Sequence, residues 1–292
     1  MYIQDREVAQ FFKVDPHNDQ PVIEGLSRKL FQNSDENDGI VLLWEERTLY
    51  DYTLAKMYDL YNQVGSDVMM VLCSSLTAAK WSNERKWINT QQHISNFNVN
   101  ICLRVSREIS NSVWSLQERI ATAITRTLIE LRPDHQFQIA YPLHYLMDGW
   151  KVAGHLVQRV RLDADNDFLR IGIGTNTANI PPILPKNDHL AEHLFSAPNS
   201  VHLNPEEWIR LAKKYKENIL LALQSDSVHS EYIQFLNIKR GDTIEIYEDL
   251  GTHQFWSRLH RWIFDTIHPD GSVAINQTIL PHQDYHIKKI PN

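Results

Sequence analysis

Lys151 is the residue whose setting most invites chemistry. It follows the Asp148-Gly149 pair in the stretch Trp150-Lys151-Val152-Ala153-Gly154-His155-Leu156-Val157. A lysine fixed on a strand presents a compact positive charge. Just past an Asp-Gly turn it is either a positioned catalytic charge or an ordinary surface cation, and the residues alone leave both open. Further along, Arg170-Ile171-Gly172-Ile173-Gly174-Thr175-Asn176 spaces two glycines on alternate residues. Gly154, Gly172 and Gly174 either let backbone lie close against a ligand or pack where strands cross. Their clustering matters because glycine is scarce: only 10 of 292 residues, about half the roughly 7% of an average soluble protein. None lies between Gly65 and Gly149, whereas Gly149, Gly154, Gly172 and Gly174 fall within 26 residues.

Other chemistries find less support. His189-Leu-Ala-Glu192-His193 fits an inverted zinc-peptidase pattern, with two imidazoles one helical turn apart and a glutamate as base. It is confined between the prolines Pro181, Pro182 and Pro185 and the helix start at Asn204-Pro205, too short a segment for a catalytic helix, and no metal site is assigned. Glu45-Glu46 and Asp35-Glu36-Asn37-Asp38 read as a strand end and an exposed turn. No GxSxG, phosphate-binding loop or CxxC occurs. The net charge of −7, from 29 basic and 36 acidic residues, disfavours nucleic acid as partner. Cys73 and Cys102 lie in apolar, strand-like runs and read as reduced core residues. No signal-peptide core and no run of 18 apolar residues occurs, so the expectation is a cytoplasmic chain that neither crosses nor enters a membrane.

The elements that must position these residues follow from periodicity. Strands are expected at 39–46, 67–73 and 98–105, and helices at 22–30 and 52–64. The clearest helix is 110–131, whose Val113, Leu116, Ile120, Ile124, Leu128 and Leu131 form one stripe ended by Arg132-Pro133-Asp134. Three β segments follow, 137–147, 150–162 and 167–177, the first two joined through Asp148-Gly149, where a tight hairpin turn is expected. Asn204 as cap and Pro205 as first residue open a helix to about Gln224. Short strands divided by turns fill the last 60 residues. The fold class is α+β: a mixed sheet with flanking helices and a small C-terminal β domain. The expected divisions are an extension at 1–38, a main domain at 39–232 and the β domain at 233–292.

The block from Ala140 to Asn176 resembles the biotin/lipoate protein ligase superfamily. There, a K-W-P-N-D segment precedes a hairpin with K-x-A-G and then a G-x-G-x-N strand. Pro142 falls on the motif proline, Lys151 on the catalytic lysine, and Ala153-Gly154 on the Ala-Gly pair. Gly172, Gly174 and Asn176 fall on the second motif. Asp51-Tyr52-Thr53-Leu54 stands at the family's D-S-T-N, and Arg85-Lys86-Trp87 resembles the close of its glycine–arginine loop. The resemblance implies a class II synthetase-like sheet with an SH3-like C-terminal domain, and ATP-dependent adenylation of biotin or a related acid. It implies ATP and Mg²⁺ as cofactors, transfer to a lysine of an acyl-carrier protein domain, and a homodimer as one possible assembly. It assigns Lys151 as catalytic, and Thr53, Lys80, Arg85, Trp87, Ala153, Gly154, Gly172, Gly174 and Asn176 as ligand-binding.

Departures set the alternative. In place of the glycine–arginine loop stands Ala79-Lys80-Trp81-Ser82-Asn83-Glu84-Arg85, without a glycine, and only Lys80 and Arg85 keep positive charge. Ala140, Leu143 and His144 replace the lysine, asparagine and aspartate of K-W-P-N-D. The other expectation is therefore a catalytically inactive relative that binds a small acid or a protein partner.

Overall fold

The computed structural model describes residues 40–43, 54–73, 96–176, 205–225, 228–248, 256–257, 262–276, 278–281 and 285–290. The expected helix at 22–30, the loop at 79–87 and the His189–His193 pattern lie outside them. Seven strands form the larger sheet: β1 (Ile40–Leu43), β2 (Val68–Cys73), β3 (Asn96–Ser106), β4 (Phe137–Ala140), β5 (His144–Met147), β6 (Trp150–Arg161) and β7 (Asn166–Asn176). Their order is β1-β2-β3-β7-β6-β5-β4. The β1–β2 pair is parallel and the other pairs are antiparallel.

The helices are α1 (Leu54–Val64), α2 (Arg107–Ser110), α3 (Val113–Leu131), α4 (Pro205–Gln224) and α5 (Val228–Phe235). The segment 137–147, expected as one strand, is two. Tyr141-Pro142, a cis peptide, and Leu143 turn the chain so that β4 pairs back on β5. Proline has no N–H to donate to a ladder, so a continuous strand through Pro142 would lose a bond there. The turn at Asp148-Gly149 is as expected, with both residues at positive φ (51° and 89°).

Helix α3 is the spine of the helical layer. Ser112 caps it, its hydroxyl accepting from Ser115 N–H at 3.1 Å. Its burial exceeds the expected stripe: Thr122, Thr125 and Thr127 are also buried, while Val113 is half-exposed. The sheet takes one side and α4 with α5 take the other, so a one-sided pattern underestimates it. Thr125 and Thr127 satisfy their hydroxyls on the carbonyls of Ala121 and Ala123, each at 2.9 Å. Asn218 of α4 donates to Thr127 Oγ1 at 3.0 Å. Trp114 packs against Tyr141 and Tyr232, with ring centroids 5.5 and 5.6 Å apart.

The smaller sheet comprises β8 (Thr243–Glu248), β9 (Trp256–Ser257), β10 (Trp262–Ile267), β11 (Val273–Ile275), β12 (Thr278–Leu280) and β13 (Tyr285–Lys289). Its order is β12-β11-β10-β8-β13, with β9 on β8. The expected division at 232/233 falls within α5. Leu236 bridges Ile139 of β4, and Ile244, Phe264 and Val273 join the same buried cluster as the helical layer.

Arg119 ties α3 to the end of α4. Its Nη1 donates to the carbonyls of Ala222 (3.2 Å) and Leu223 (3.0 Å), and to that of Ser225. Those carbonyls are groups that a helix end leaves without an internal partner. Arg119→Ala is expected to cost about 2 kcal/mol of unfolding free energy, in the range of charged hydrogen bonds. Urea titration checks it; a change below about 0.5 kcal/mol would show the cap to be dispensable.

Candidate functional site

Antiparallel register decides which residues share a face, because side chains alternate and directly paired residues point the same way. Val99, Ile101 and Leu103 of β3 and Leu169, Ile171 and Ile173 of β7 join the cluster under the helical layer. Cys102 and Phe168 face the other way, against α1, with Met57, Tyr61, Met69 and Val71. The opposite face therefore carries three parallel rows. Asn98, Gly174, Gly154 and His144 make one row across β3, β7, β6 and β5. Asn100, Gly172 and Leu156 make the next, and Cys102, Arg170 and Gln158 the third.

Three glycines thus meet on one patch of sheet, from segments far apart in sequence. Gly154 and Gly174 are buried and Gly172 half-buried. None of the three is at positive φ, so what distinguishes them is the missing side chain, not a backbone requirement. A Cβ built on Gly172 would lie 3.6 Å from Asn100 Oδ1 and 3.9 Å from the Leu156 carbonyl oxygen. The Asn100 carboxamide therefore lies over the glycine. Its Oδ1 accepts from Arg170 Nε at 2.6 Å, and both side chains are at least nine-tenths buried. Burial lowers the Arg170 pKa from its ordinary value, and burial pushes the neighbouring Cys102 thiol up to about 12.

Lys151 is half-buried on β6, three residues before Gly154. The register slips there: Tyr145 pairs with Ala153 but Leu146 with Lys151, leaving Val152 as the extra residue of a β-bulge. Bulges redirect neighbouring side chains and bend the strand. Ala153 belongs to the helix-side core, so its methyl is a packing group and only its backbone borders the glycine row. Asn176 is the last residue of β7 and pairs with Asn96. Thr53, Lys80, Arg85 and Trp87 lie outside the described residues; Thr53 immediately precedes α1.

Beneath the rows, two hydrogen bonds anchor the strands. Tyr145 Oη and His155 Nδ1 share one at 2.5 Å, and Thr175 Oγ1 and Tyr215 Oη of α4 share one at 2.9 Å. His155 is fully enclosed and its Nε2 has no partner among the described residues. Burial alone pushes its pKa down to about 3. Sequence reasoning missed Asn98, Asn100, Arg170 and His144 as members of this face. Asparagines on alternate residues of 96–100 were a signal, because asparagine is disfavoured in strands. A concavity of about 470 Å³ elsewhere in the molecule is lined by Ile233, Lys239 and Phe264, with Arg240 paired to Asp265 at 2.7 Å; none of the row residues borders it.

No protein-family model and no curated protein sequence matches the chain. Solved structures do. A biotin protein ligase from Aquifex aeolicus in complex with biotin and ATP superposes with a TM-score of 0.57 at 13% identity, over 86% of this chain and 99% of that one. A biotin protein ligase-like protein of unknown function from Silicibacter gives 0.51 at 11% identity, over 88% and 95%. The Leishmania major biotin protein ligase with biotinyl-5-AMP gives 0.50 at 15%, over 87% and 99%. The fold is that of the biotin protein ligases. At these identities the likeness speaks for architecture, a mixed sheet flanked by helices with a small C-terminal β unit, and this fold places the Ala-Gly and G-x-G glycines side by side. No helix among the described residues is long and apolar enough to cross a membrane.

His155 is the buried imidazole of β6. The folded protein holds its imidazole neutral, whereas the unfolded chain protonates near 6.5. Its contribution to stability is therefore complete above pH 6.5 and is lost as pH falls towards 3. Wild type should lose on the order of 1 kcal/mol per pH unit from this group, and His155→Ile should lose that slope. Urea titrations at pH 7, 6 and 5 check it; parallel curves for the two proteins would refute it.

Proposed function

We propose that this chain is a divergent ligase of the biotin/lipoate type. It binds a small carboxylic acid on the glycine rows and joins it to a lysine of a carrier-protein domain at the expense of ATP. The observation that carries this is the row Asn98–Gly174–Gly154–His144, built within this fold three residues from Lys151. A floor without side chains admits a flat or extended acid close to the backbone. Lys151 supplies the charge that holds the acid's carboxylate against the α-phosphate. The carboxylate oxygen then attacks phosphorus and pyrophosphate leaves; the carrier lysine's amine later attacks the acyl carbon and AMP leaves. Positioning and charge do most of this work. The cytoplasm, where ATP and unmodified carrier meet, is the compartment this reading implies.

The residues fit Mg²⁺ poorly. His144 offers one imidazole nitrogen where the family motif offers a carboxylate, and magnesium prefers oxygen. No group of three or more potential ligands gathers among the described residues. No step is assigned to a protein-held metal. The same substitutions favour a second reading, a non-catalytic relative that keeps acid binding. Ala140 is buried in β4 and Leu143 is in the β4–β5 turn, so neither presents a polar group to a nucleotide.

Pyrophosphate exchange into ATP with biotin, lipoate or octanoate decides between them. Acid-dependent exchange that falls at least a hundredfold in Lys151→Ala is the expected result. Acid binding without exchange would select the non-catalytic reading. If neither ATP nor any of these acids raises the melting temperature, both readings fall. Gly172→Ala meets only ordinary contacts at 3.6 to 4.0 Å, so it should keep the fold within about 1 kcal/mol while weakening acid binding several-fold by calorimetry.

A further inference from the structure

Lys151 lies on the glycine face only because β6 carries an extra residue. Side chains alternate along a strand, so counting back from Gly154 would put Lys151, three residues away, on the opposite face. Val152 and Ala153 are consecutive, yet both belong to the buried cluster under the helices. The register slips beside them: Tyr145 pairs with Ala153, whereas Leu146 pairs with Lys151 and Met147 with Trp150. Leu146 stands two residues along β5 from His144, the end of the glycine row, so Lys151 opposite it shares that face. Had the pairing of Tyr145 with Ala153 simply continued, Lys151 would oppose Met147, a member of the helix-side cluster.

The slip follows from the two-residue turn, and a residue outside the hairpin holds that turn. Asp148 and Gly149 both take positive φ, 51° and 89°, as the tightest hairpin turns require. Away from glycine this region is disfavoured, and aspartate enters it when its side chain finds partners nearby. The Asp148 carboxylate has two. Its Oδ1 accepts from Gln136 N–H at 2.9 Å, and its Oδ2 lies 2.5 Å from His135 Nδ1. Arg132 Nη2 lies 2.6 Å from His135 Nε2, with Asp134 Oδ2 farther off at 3.3 Å. A guanidinium N–H only donates, so Nε2 accepts, and the proton on Nδ1 is donated to Asp148. The His135 bond first, and the Gln136 N–H after it, hold the Asp148 carboxyl below its ordinary pKa. His135 is itself placed by the turn that ends α3, where its N–H donates to the Arg132 carbonyl at 3.1 Å. We infer that His135 is a positioning residue for Lys151: by holding Asp148 in the two-residue turn it maintains the bulge at Val152, and with it the ammonium on the glycine face. The inference rests on the reading that Lys151 serves the acid site.

NMR on the full chain reads the register directly, from contacts between the backbone protons of Lys151 and those of Leu146 or Met147. Wild type should show the Leu146 contact. His135→Ala removes the donor to Asp148 and should weaken that contact several-fold while a Met147 contact appears. In His135→Asn the side-chain amide donates from the place of Nδ1, so the wild-type contacts should return. Pyrophosphate exchange into ATP with biotin as the probe supplies the second measurement. His135→Ala should lower kcat roughly tenfold or more with the KM for biotin changed less than threefold, and His135→Asn should recover most of the loss. A merely structural defect would move kcat and KM together and lower the urea midpoint in both variants. If the Leu146–Lys151 contact survives His135→Ala, or is lost equally in His135→Asn, the inference is overturned and the ligase reading is untouched. If the pairing slips and exchange continues at the wild-type rate, Lys151 falls as the catalytic residue while the clamp on the turn stands. If wild type shows no exchange, the adenylation reading falls with biotin, and the NMR contacts alone decide the clamp.

Discussion

The pairing of β3, β7 and β6 is the constraint on which the rest depends. Residues Asn96–Ser106 run against Asn166–Asn176 without a slip, and Ala153–Arg161 runs against Asp167–Thr175 on the other side. With a period of two, a one-residue shift anywhere in this ladder would exchange its faces. Val99, Ile101, Leu169, Ile171 and Ile173 would turn away from α3, and the glycines would meet the helices. The apolar residues specify the register because only one parity buries them. The glycine face inherits its geometry from that choice. The candidate site is thus a consequence of the core on its far side.

The two faces are held in different ways. The helix side is closed by a double layer, α3 against the sheet and α4 with α5 against α3, which explains why threonines as well as aliphatics are buried along the spine. Its polar groups are satisfied locally or across helices, as with Thr127 and Asn218. The face with the glycine rows is covered at one end by α1, where Tyr58 and Tyr61 pack against Phe168 at centroid distances of 5.1 and 5.3 Å. Arg170 stands one row from that apolar cover and one row from Gly172. It therefore meets the low-dielectric end of the face, which strengthens its bond to Asn100 and makes a reversed amide costly. The β-bulge at Val152 interrupts the alternation only where Lys151 leaves the ladder.

Much of the frame was legible because it is encoded locally. The stripe on α3, the start of α4 at Pro205, the Asp148-Gly149 turn and most strands of the larger sheet follow from short-range pattern. What escaped depends on partners distant in sequence. The break at Pro142 was written in the residue, but the apolar run around it masked the turn. Helix α5 is short, and its Val228 and Tyr232 gain meaning only through α3 and Trp114. Asn100 and Arg170 are 70 positions apart; nothing near either one announces the other. His144 looked like a simple loss from a motif, whereas register places it at the end of the glycine row.

The distribution of glycine acquires a physical reading from these observations. The three glycines at 154, 172 and 174 are not spent on turns, since none needs a left-handed backbone; that role falls to Gly65, Gly149, Gly241 and Gly271. In strand interiors, glycine sacrifices β propensity and packing area, a cost of roughly 0.5–1 kcal/mol each relative to alanine. A chain poor in glycine that accepts this cost three times on one patch, where Asn100 lies in contact distance over Gly172, has a pattern that supports the acid-binding reading. The adjacent asparagines and buried arginine add polar groups that a purely structural patch would have no reason to bury. The economy that removed glycine elsewhere therefore makes its retention here the strongest argument that the face is a binding surface.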